Sequence, residues 1–443
     1  MSSLLVRGGL LVTMDSHRRI IEGNLYVENE LIREVPSQRT IADTVVEATN
    51  RLVLPGFVQA HVHLCQTLFR GLADDMDVVD WLRLRIWPLE QAHDEESLYD
   101  SARLAIAEMM QSGTTCALTI ETVHHTESAL QAVLDTGFRA TCGKALMDNW
   151  EVGTEMVGES TEEALADSLH LLRQYHGAGS GRLRYALSPR GARNVTDELW
   201  TRVRDLARDE GVRIHTHAAE NQTQSERLAR LPGGRDVLYL DSLGVLGSNL
   251  VLAHCVWVTP EEQALLASTG TRVAHCPSAN LKLASGFAPI PDMLEQGITV
   301  GLGADGAPCN NNLDMFQEMR LAALMHKPAY GPCSMSAATV LEMATLGGAR
   351  ALGLEDQIGS LEVGKRADFT IISRHGLHAN PQTDPVSAIV YAHKATDVET
   401  VVIDGQVVLH DRQFTTLDEV QVRRAAERSI ERVLGRAPLP VDC

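Results

Sequence analysis

The feature that most constrains this chain is a series of short apolar runs alternating with longer amphipathic segments, from Pro55 to Ala351. The runs are Gly56–His61, Thr115–Ile120, Arg139–Leu146, Leu183–Leu187, Val212–His217, Leu250–His254, Arg272–Cys276 and Ile298–Gly303. Between them lie segments with helical spacing, among them Glu96–Gln111, Thr161–Tyr175, Thr196–Asp209, Pro260–Ala267 and Leu313–His326. Eight strands alternating with helices predict a (β/α)8 TIM-like barrel. A doubly wound open sheet is the alternative, but no glycine-rich phosphate loop follows the first run.

Both ends of the chain have a different texture. Leu4–Thr13, Asn24–Val27 and Thr44–Leu54 read as strands, with turns at Asp15-Ser16 and Glu28-Asn29. Phe369–Ile372 and Thr400–Leu409 read likewise, the second folded at an Asp404-Gly405 turn. Residues 1–55 and 356–443 are therefore expected to share a small β-sandwich domain beside a catalytic barrel of residues 56–355. A closing helix is expected over 417–434, with Val422, Ala426, Ile430 and Val433 on one face.

Charge narrows the partners. A formal net charge of −19 disfavours a nucleic acid polymer or an anionic membrane, yet permits a single nucleobase or nucleoside. No run of about 18 apolar residues predicts a membrane span, and no secretory leader is legible. The eight cysteines form no CxxC pair and read as reduced, buried thiols. A cytoplasmic enzyme acting on a small molecule is the expectation.

The strand ends carry the chemistry. His61 and His63 close the first run, and residues two apart on a strand share a face. Both imidazoles can reach one ion at the C-terminal mouth, where barrel enzymes keep their sites. His215 and His217 close the fifth run. Spacing alone does not separate them, but the mouth lies beyond the strand end, which favours His217 and leaves His215 one layer lower. Glu220 opens the following loop and can move protons without ligating. His254 ends the sixth run, and His275, ending the seventh, ranks below it as a site residue. Asp305 follows the eighth run as a carboxylate ligand. Three imidazoles and a carboxylate (His61, His63, His217, Asp305) suit one Zn²⁺, with Fe²⁺ as the substitute. A two-metal site would need a bridging group, often a modified lysine, after the fourth run. That run ends Ala186-Leu187-Ser188, and Lys144 belongs to the third.

With these residues assembled, the chain resembles the amidohydrolase superfamily. The resemblance rests on the segments Pro55 to His63, His215 to Glu220, His254-Cys255, His275 to Gly286, Gly303 to Ala307 and Gly359 to Asp368. It is nearest the branch that deaminates S-adenosylhomocysteine, 5'-methylthioadenosine and 5'-deoxyadenosine, with triazine hydrolases and guanine deaminases as neighbours. The resemblance also selects His217 over His215. It implies that Asp305 takes a proton from a water acidified toward a pKa of ~7. Glu220 would protonate a ring nitrogen, and His254 would orient the water or stabilise the adduct.

It further implies that Trp81 and Glu90 meet a nucleoside, the glutamate through ribose hydroxyls; the plainer reading is a core tryptophan and a solvated carboxylate. One segment departs from the adenosine-type pattern, Ala186-Leu187-Ser188-Pro189-Arg190-Gly191-Ala192-Arg193. Leu187 stands near the position of a histidine, and Pro189-Arg190 is more like guanine deaminases. Arg190 and Arg193 are the candidate donors to substrate, although Arg190 could simply pair with an acidic neighbour. The expectations are an adenine-nucleoside deaminase, then a deaminase of a free oxopurine or pterin, then a triazine hydrolase. A metal-free scaffold would show gaps in the ligand set, and there are none. Similar enzymes are homo-oligomers, dimers or tetramers.

Overall fold

The computed structural model describes residues 2–149, 158–229 and 234–439. The chain opens with five strands: β1 (Ser3–Val12), β2 (Ile20–Glu28), β3 (Leu31–Ser37), β4 (Thr44–Glu47) and β5 (Arg51–Pro55). The run expected over Thr44–Leu54 breaks in two around Asn50, which adopts a left-handed φ of 57°. β3 is an addition to the sequence reading. It holds Pro36 and charged residues, which a central strand would not tolerate, but it lies at a sheet edge.

The apolar runs form the barrel: β6 (Phe57–His63), β7 (Thr114–Ile120), β8 (Arg139–Gly143) with the short β9 (Ala145–Leu146), β10 (Leu183–Pro189), β11 (Arg213–Ala218), β12 (Leu250–His254), β13 (Arg272–His275), β14 (Val300–Leu302) and β15 (Asp305–Gly306). They pair in parallel around the ring, and β15 returns to β6 to close it. The eighth barrel strand is therefore split, β14 pairing with β13 and β15 with β6. Gly303 lies between the pieces. A Cβ there would come 2.5 Å from the His61 carbonyl oxygen, so only glycine lets the strand pass this close. Small side chains, among them Ala60, Cys116, Ala186 and Ala274, fill the lower barrel. Helix Gly348–Leu352 stoppers it, held where Arg213 and Arg272 donate to the carbonyls of Leu352 and Ala351.

β16 (Phe369–Ser373), β17 (Val398–Ile403), β18 (Gln406–His410) and β19 (Gln413–Phe414) follow. Asp404 and Gly405, with φ of 54° and 76°, make the expected two-residue hairpin between β17 and β18. Strands from both chain ends join in one nine-stranded mixed sheet, in which β16 pairs with β5. The expected small β domain is thus one continuous sheet around its own apolar cluster. The final helix, Glu419–Arg436, lies on the barrel side, where Ser429 donates to Asp100 of helix Glu95–Gln111 at 2.7 Å. Ala426 and Val433 cover Leu68, Phe69 and Leu89, which lie behind the barrel mouth. No helix among the described residues is long and apolar enough to cross a membrane. Six cysteines are buried and Cys333 is exposed, all as free thiols; Cys443 lies outside the described residues.

A buried ion pair joins sheet and barrel. Arg139, at the start of β8, forks onto Asp368 at 2.6 and 3.0 Å and reaches Asp404 at 3.0 Å. Asp368 has this guanidinium as its one ion-pair partner among the described residues, whereas Asp404 is also met by Arg366 at 2.6 Å and Arg182 at 3.5 Å. Arg139→Met is expected to cost about 3–5 kcal/mol, because it strands buried charge. Thermal or denaturant unfolding measures this, and the double variant Arg139→Met/Asp368→Asn should recover part of the loss. A wild-type melting curve for Arg139→Met would refute the role.

Candidate metal centre

The C-terminal mouth gathers His61 and His63 from β6, His217 from β11, His254 from β12 and Asp305 from β15. All five are buried or nearly so. His63 Nε2 lies 3.2 Å from His217 Nε2. Asp305 Oδ1 lies 3.2 Å from His61 Nε2 and 3.3 Å from His63 Nε2. His254 Nε2 lies 3.7 Å from Asp305 Oδ2 and 3.9 Å from Glu220 Oε2.

The other ring nitrogens fix the tautomers. His63 Nδ1 is 2.7 Å from the Ile120 carbonyl, and His217 Nδ1 meets the Arg190 carbonyl. A carbonyl only accepts, so both Nδ1 atoms carry the proton and both Nε2 atoms hold lone pairs. His61 is set through a relay. His215 Nδ1 donates to the Val251 carbonyl at 3.1 Å, so its Nε2 is the acceptor for His61 Nδ1–H at 2.8 Å. His61 Nε2 is thereby also a lone pair, buried and without a hydrogen bond among the described residues. The 3.2 Å approach of His63 and His217 is consequently two lone pairs facing each other, not a hydrogen bond. A cation between them relieves that repulsion. Donors about 2.0–2.1 Å from a tetrahedral Zn²⁺ stand about 3.3–3.4 Å apart, and the observed edges match.

Electrostatics favour the same state. Burial, with neighbouring His61, holds the His63 pKa down at about 3. Burial likewise keeps His215 and His217 well below the ordinary histidine range. Burial would raise the Asp305 pKa, but His61, His254 and His63 outweigh it and keep the carboxyl ionised. Burial raises Glu220. It would lower His254, yet Glu220 and Asp305 more than compensate. His254 Nδ1 is held by Asn280 Oδ1 at 2.9 Å. His254 and Asp305 both adopt left-handed backbone, with φ of 73° and 61°, a strain often found where a site must aim a side chain.

The structure brings the four proposed ligands together, with Glu220 and His254 beside them. His254 is close enough to count as a further donor, since its nitrogen and donor atoms of His61, His217 and Asp305 all lie within 4.8 Å of one another. His275 does not join them. It is buried beside His326, the two ring centroids being 5.6 Å apart. Lys144 is buried against Glu159, and among the described residues no lysine lines the cavity.

The adjoining cavity is lined by Trp81, Arg190 and Arg193, as expected, and by Glu220. Glu90 is not in its wall. That carboxylate is buried and engaged by Gln66 and Arg190, so a solvated Glu90 is excluded. Leu187, near the position of the missing histidine, is core, and it is Arg190 that reaches the mouth. Arg193 lies 3.8 Å over the Tyr239 ring and donates to the Gly234 carbonyl at 2.8 Å. The sequence reading missed Trp87, Gln66, Asn280 and Asp236. Only Asn280 had a signal, since it falls inside the motif His275 to Gly286.

His215 is the residue whose role is most exposed to test. His215→Phe removes the acceptor that fixes His61 and should weaken metal affinity about 10–100-fold while the fold persists. Competition with a chelator measures it, and unchanged affinity would discard the relay.

The amidohydrolase family model matches residues 52–408. The chain is 35% identical over 439 residues to a 5'-deoxyadenosine deaminase of Methanosarcina mazei, covering 98% of this chain and 99% of that one. It is 36% identical over 433 residues to a 5-methylthioadenosine/S-adenosylhomocysteine deaminase of Desulfitobacterium hafniense, covering 97% and 98%. Among solved structures, an adenosine deaminase from Xanthomonas campestris with bound zinc superposes with a TM-score of 0.91 at 33% identity, over 98% of each chain. With its closed parallel barrel and converging imidazoles, this chain belongs to the amidohydrolase family.

Proposed function

We propose that this protein is a zinc-dependent hydrolytic deaminase of an adenine nucleoside, of the 5'-deoxyadenosine, 5'-methylthioadenosine or S-adenosylhomocysteine type. The carrying observation is the placing of Glu220 and His254 beside a set of cation-ready donors, all bordering one cavity. Full-length similarity to two deaminases of such nucleosides supports the substrate class. Three neutral imidazoles and a carboxylate favour Zn²⁺, with Fe²⁺ second.

When bound, the ion would supply a water whose pKa falls toward ~7. His61, His63, His217 and Asp305 would hold it. Asp305 accepts the water's proton, since its second oxygen faces His254 rather than the ligand imidazoles. Glu220, its pKa raised by burial, can carry a proton to the ring nitrogen beside the amino-bearing carbon. His254, anchored by Asn280, donates to or orients the attacking oxygen. Attack and ring protonation make the amino-bearing carbon tetrahedral, the proton taken up by Asp305 passes to the amino nitrogen, and the group departs as ammonia.

A second reading draws on Arg190, whose guanidinium lines the cavity as a fixed donor. It suits the oxo group of a free oxopurine or pterin, of the guanine or 8-oxoguanine kind. Ammonia release across adenosine, 5'-modified adenosines, guanine and 8-oxoguanine separates the two readings. Chelation should abolish turnover, and Zn²⁺ should restore it. Glu220→Gln should keep the metal and lose about 10²–10⁴-fold in kcat, the usual worth of a general acid. If Glu220→Gln turned over near the wild-type rate, the acid–base assignment would fall.

A further inference from the structure

We infer that the floor of the barrel, at the end opposite the metal centre, is a binding site for a phosphoryl oxyanion held among Arg184, Arg213 and Arg272. Arg213 and Arg272 open β11 and β13, and Arg184 is second in β10. Strand register turns them the same way. Ala186 pairs with Arg213 and lies two residues beyond Arg184, while Val251 of the intervening β12 pairs with Arg272. Ala186 and Val251 belong to the apolar cluster inside the lower barrel. The three arginines therefore share the inward face, at the N-terminal ends of their strands. They border one cavity of about 240 Å³ together with His176, Ser248 and Asn249.

The charge in this cavity is unbalanced. Among the described residues, the Arg184 side chain has neither a hydrogen-bond acceptor nor an ion-pair partner. Arg213 donates to the Leu352 carbonyl at 2.9 Å and to the Ser248 carbonyl, and Arg272 reaches the Ala351 carbonyl at 3.4 Å. A guanidinium carries five N–H donors, so both keep others free. Glu355 acts on Arg213 and Arg272 from a distance but forms no ion pair with either among the described residues. The chain has 58 acidic against 39 basic side chains, so three neighbouring guanidiniums without a paired carboxylate run against its composition. Burial, with Arg272 and Arg184 nearby, holds the Arg213 pKa down at about 10, and burial also lowers Arg184 and Arg272. A bound anion would oppose all three shifts. His176 Nδ1 accepts the Tyr185 N–H at 3.2 Å, which leaves Nε2–H of the neutral ring as another donor. Gly353 gives Arg213 its place, since a Cβ there would fall 1.7 Å from Nη2. A phosphate group carries about −1.5 to −2 charges at pH 7 and three strong acceptor oxygens, one for each guanidinium. A carboxylate carries a single charge and fills one guanidinium fork, leaving the other two arginines unmatched.

Isothermal titration calorimetry on zinc-loaded full-length protein at constant ionic strength provides the test, with inorganic phosphate, glycerol 3-phosphate and acetate as probes. Phosphate should bind the wild type, and acetate should bind more weakly. Arg184→Gln and Arg272→Gln should each weaken phosphate binding about tenfold or more, the weight of a hydrogen bond to a charged group. Glycerol 3-phosphate binding as well as phosphate assigns the site to phosphate esters, and its exclusion assigns it to the free ion; either result supports a phosphoryl site. No binding to the wild type would overturn the proposal. So would equal affinity in the wild type and both variants, which is the result if phosphate sits on the zinc instead. Without phosphate, Arg184→Gln should melt no lower than the wild type, because it removes a repelling charge that holds no partner. A marked fall in melting temperature would make Arg184 a structural prop and would also defeat the site.

Discussion

Three imidazole lone pairs and a carboxylate are forced to face one another at the mouth of this barrel. Each imidazole has its other nitrogen committed, His63 to the Ile120 carbonyl, His217 to the Arg190 carbonyl and His61 to His215. Burial removes the alternative of protonation, since a charged imidazole there loses its hydration. The mouth is thus electrostatically incomplete without a cation, and the surrounding elements can be understood as holding that state in place.

They do so at a local cost in backbone conformation. The eighth strand breaks so that Asp305 can turn into the centre, with its Oδ1 receiving the Gly306 N–H at 2.8 Å. Gly303 makes room by lacking a side chain against His61. His254 is turned in similarly and fixed by Asn280. Behind the rim, the Leu64–Phe69 turn and the short helix Trp87–Gln91 are backed by the C-terminal helix. The Arg139–Asp368 pair keeps the mixed sheet against the barrel's opposite end.

The same economy reaches the cavity wall. Arg190 belongs to the metal centre through its carbonyl and to the wall through its side chain. Glu90, read from the sequence as a partner for ribose hydroxyls or as a solvated group, is buried and already engaged. The physical reason is distance along the chain. Residues 90 and 190 are brought together only by closure of the barrel, and no local pattern announces that a carboxylate in one will be taken by a guanidinium in the other.

Sequence alone determined the features that follow from periodicity and strand geometry. Short apolar runs gave the barrel strands, and the two-residue repeat put His61 with His63 on one face and left His215 a layer below His217. Split strands and edges were less legible: β3 carries polar residues because one side is unpaired, and the Thr44–Leu54 run breaks where Asn50 turns. Tertiary structure alone decided the protonation pattern, because a tautomer depends on which carbonyl stands opposite each nitrogen. It alone left His275 out of the donor group, since that ring is buried beside His326. And it alone set Arg190 rather than Glu90 in the cavity wall, because only the folded chain determines which charged group another has already neutralised.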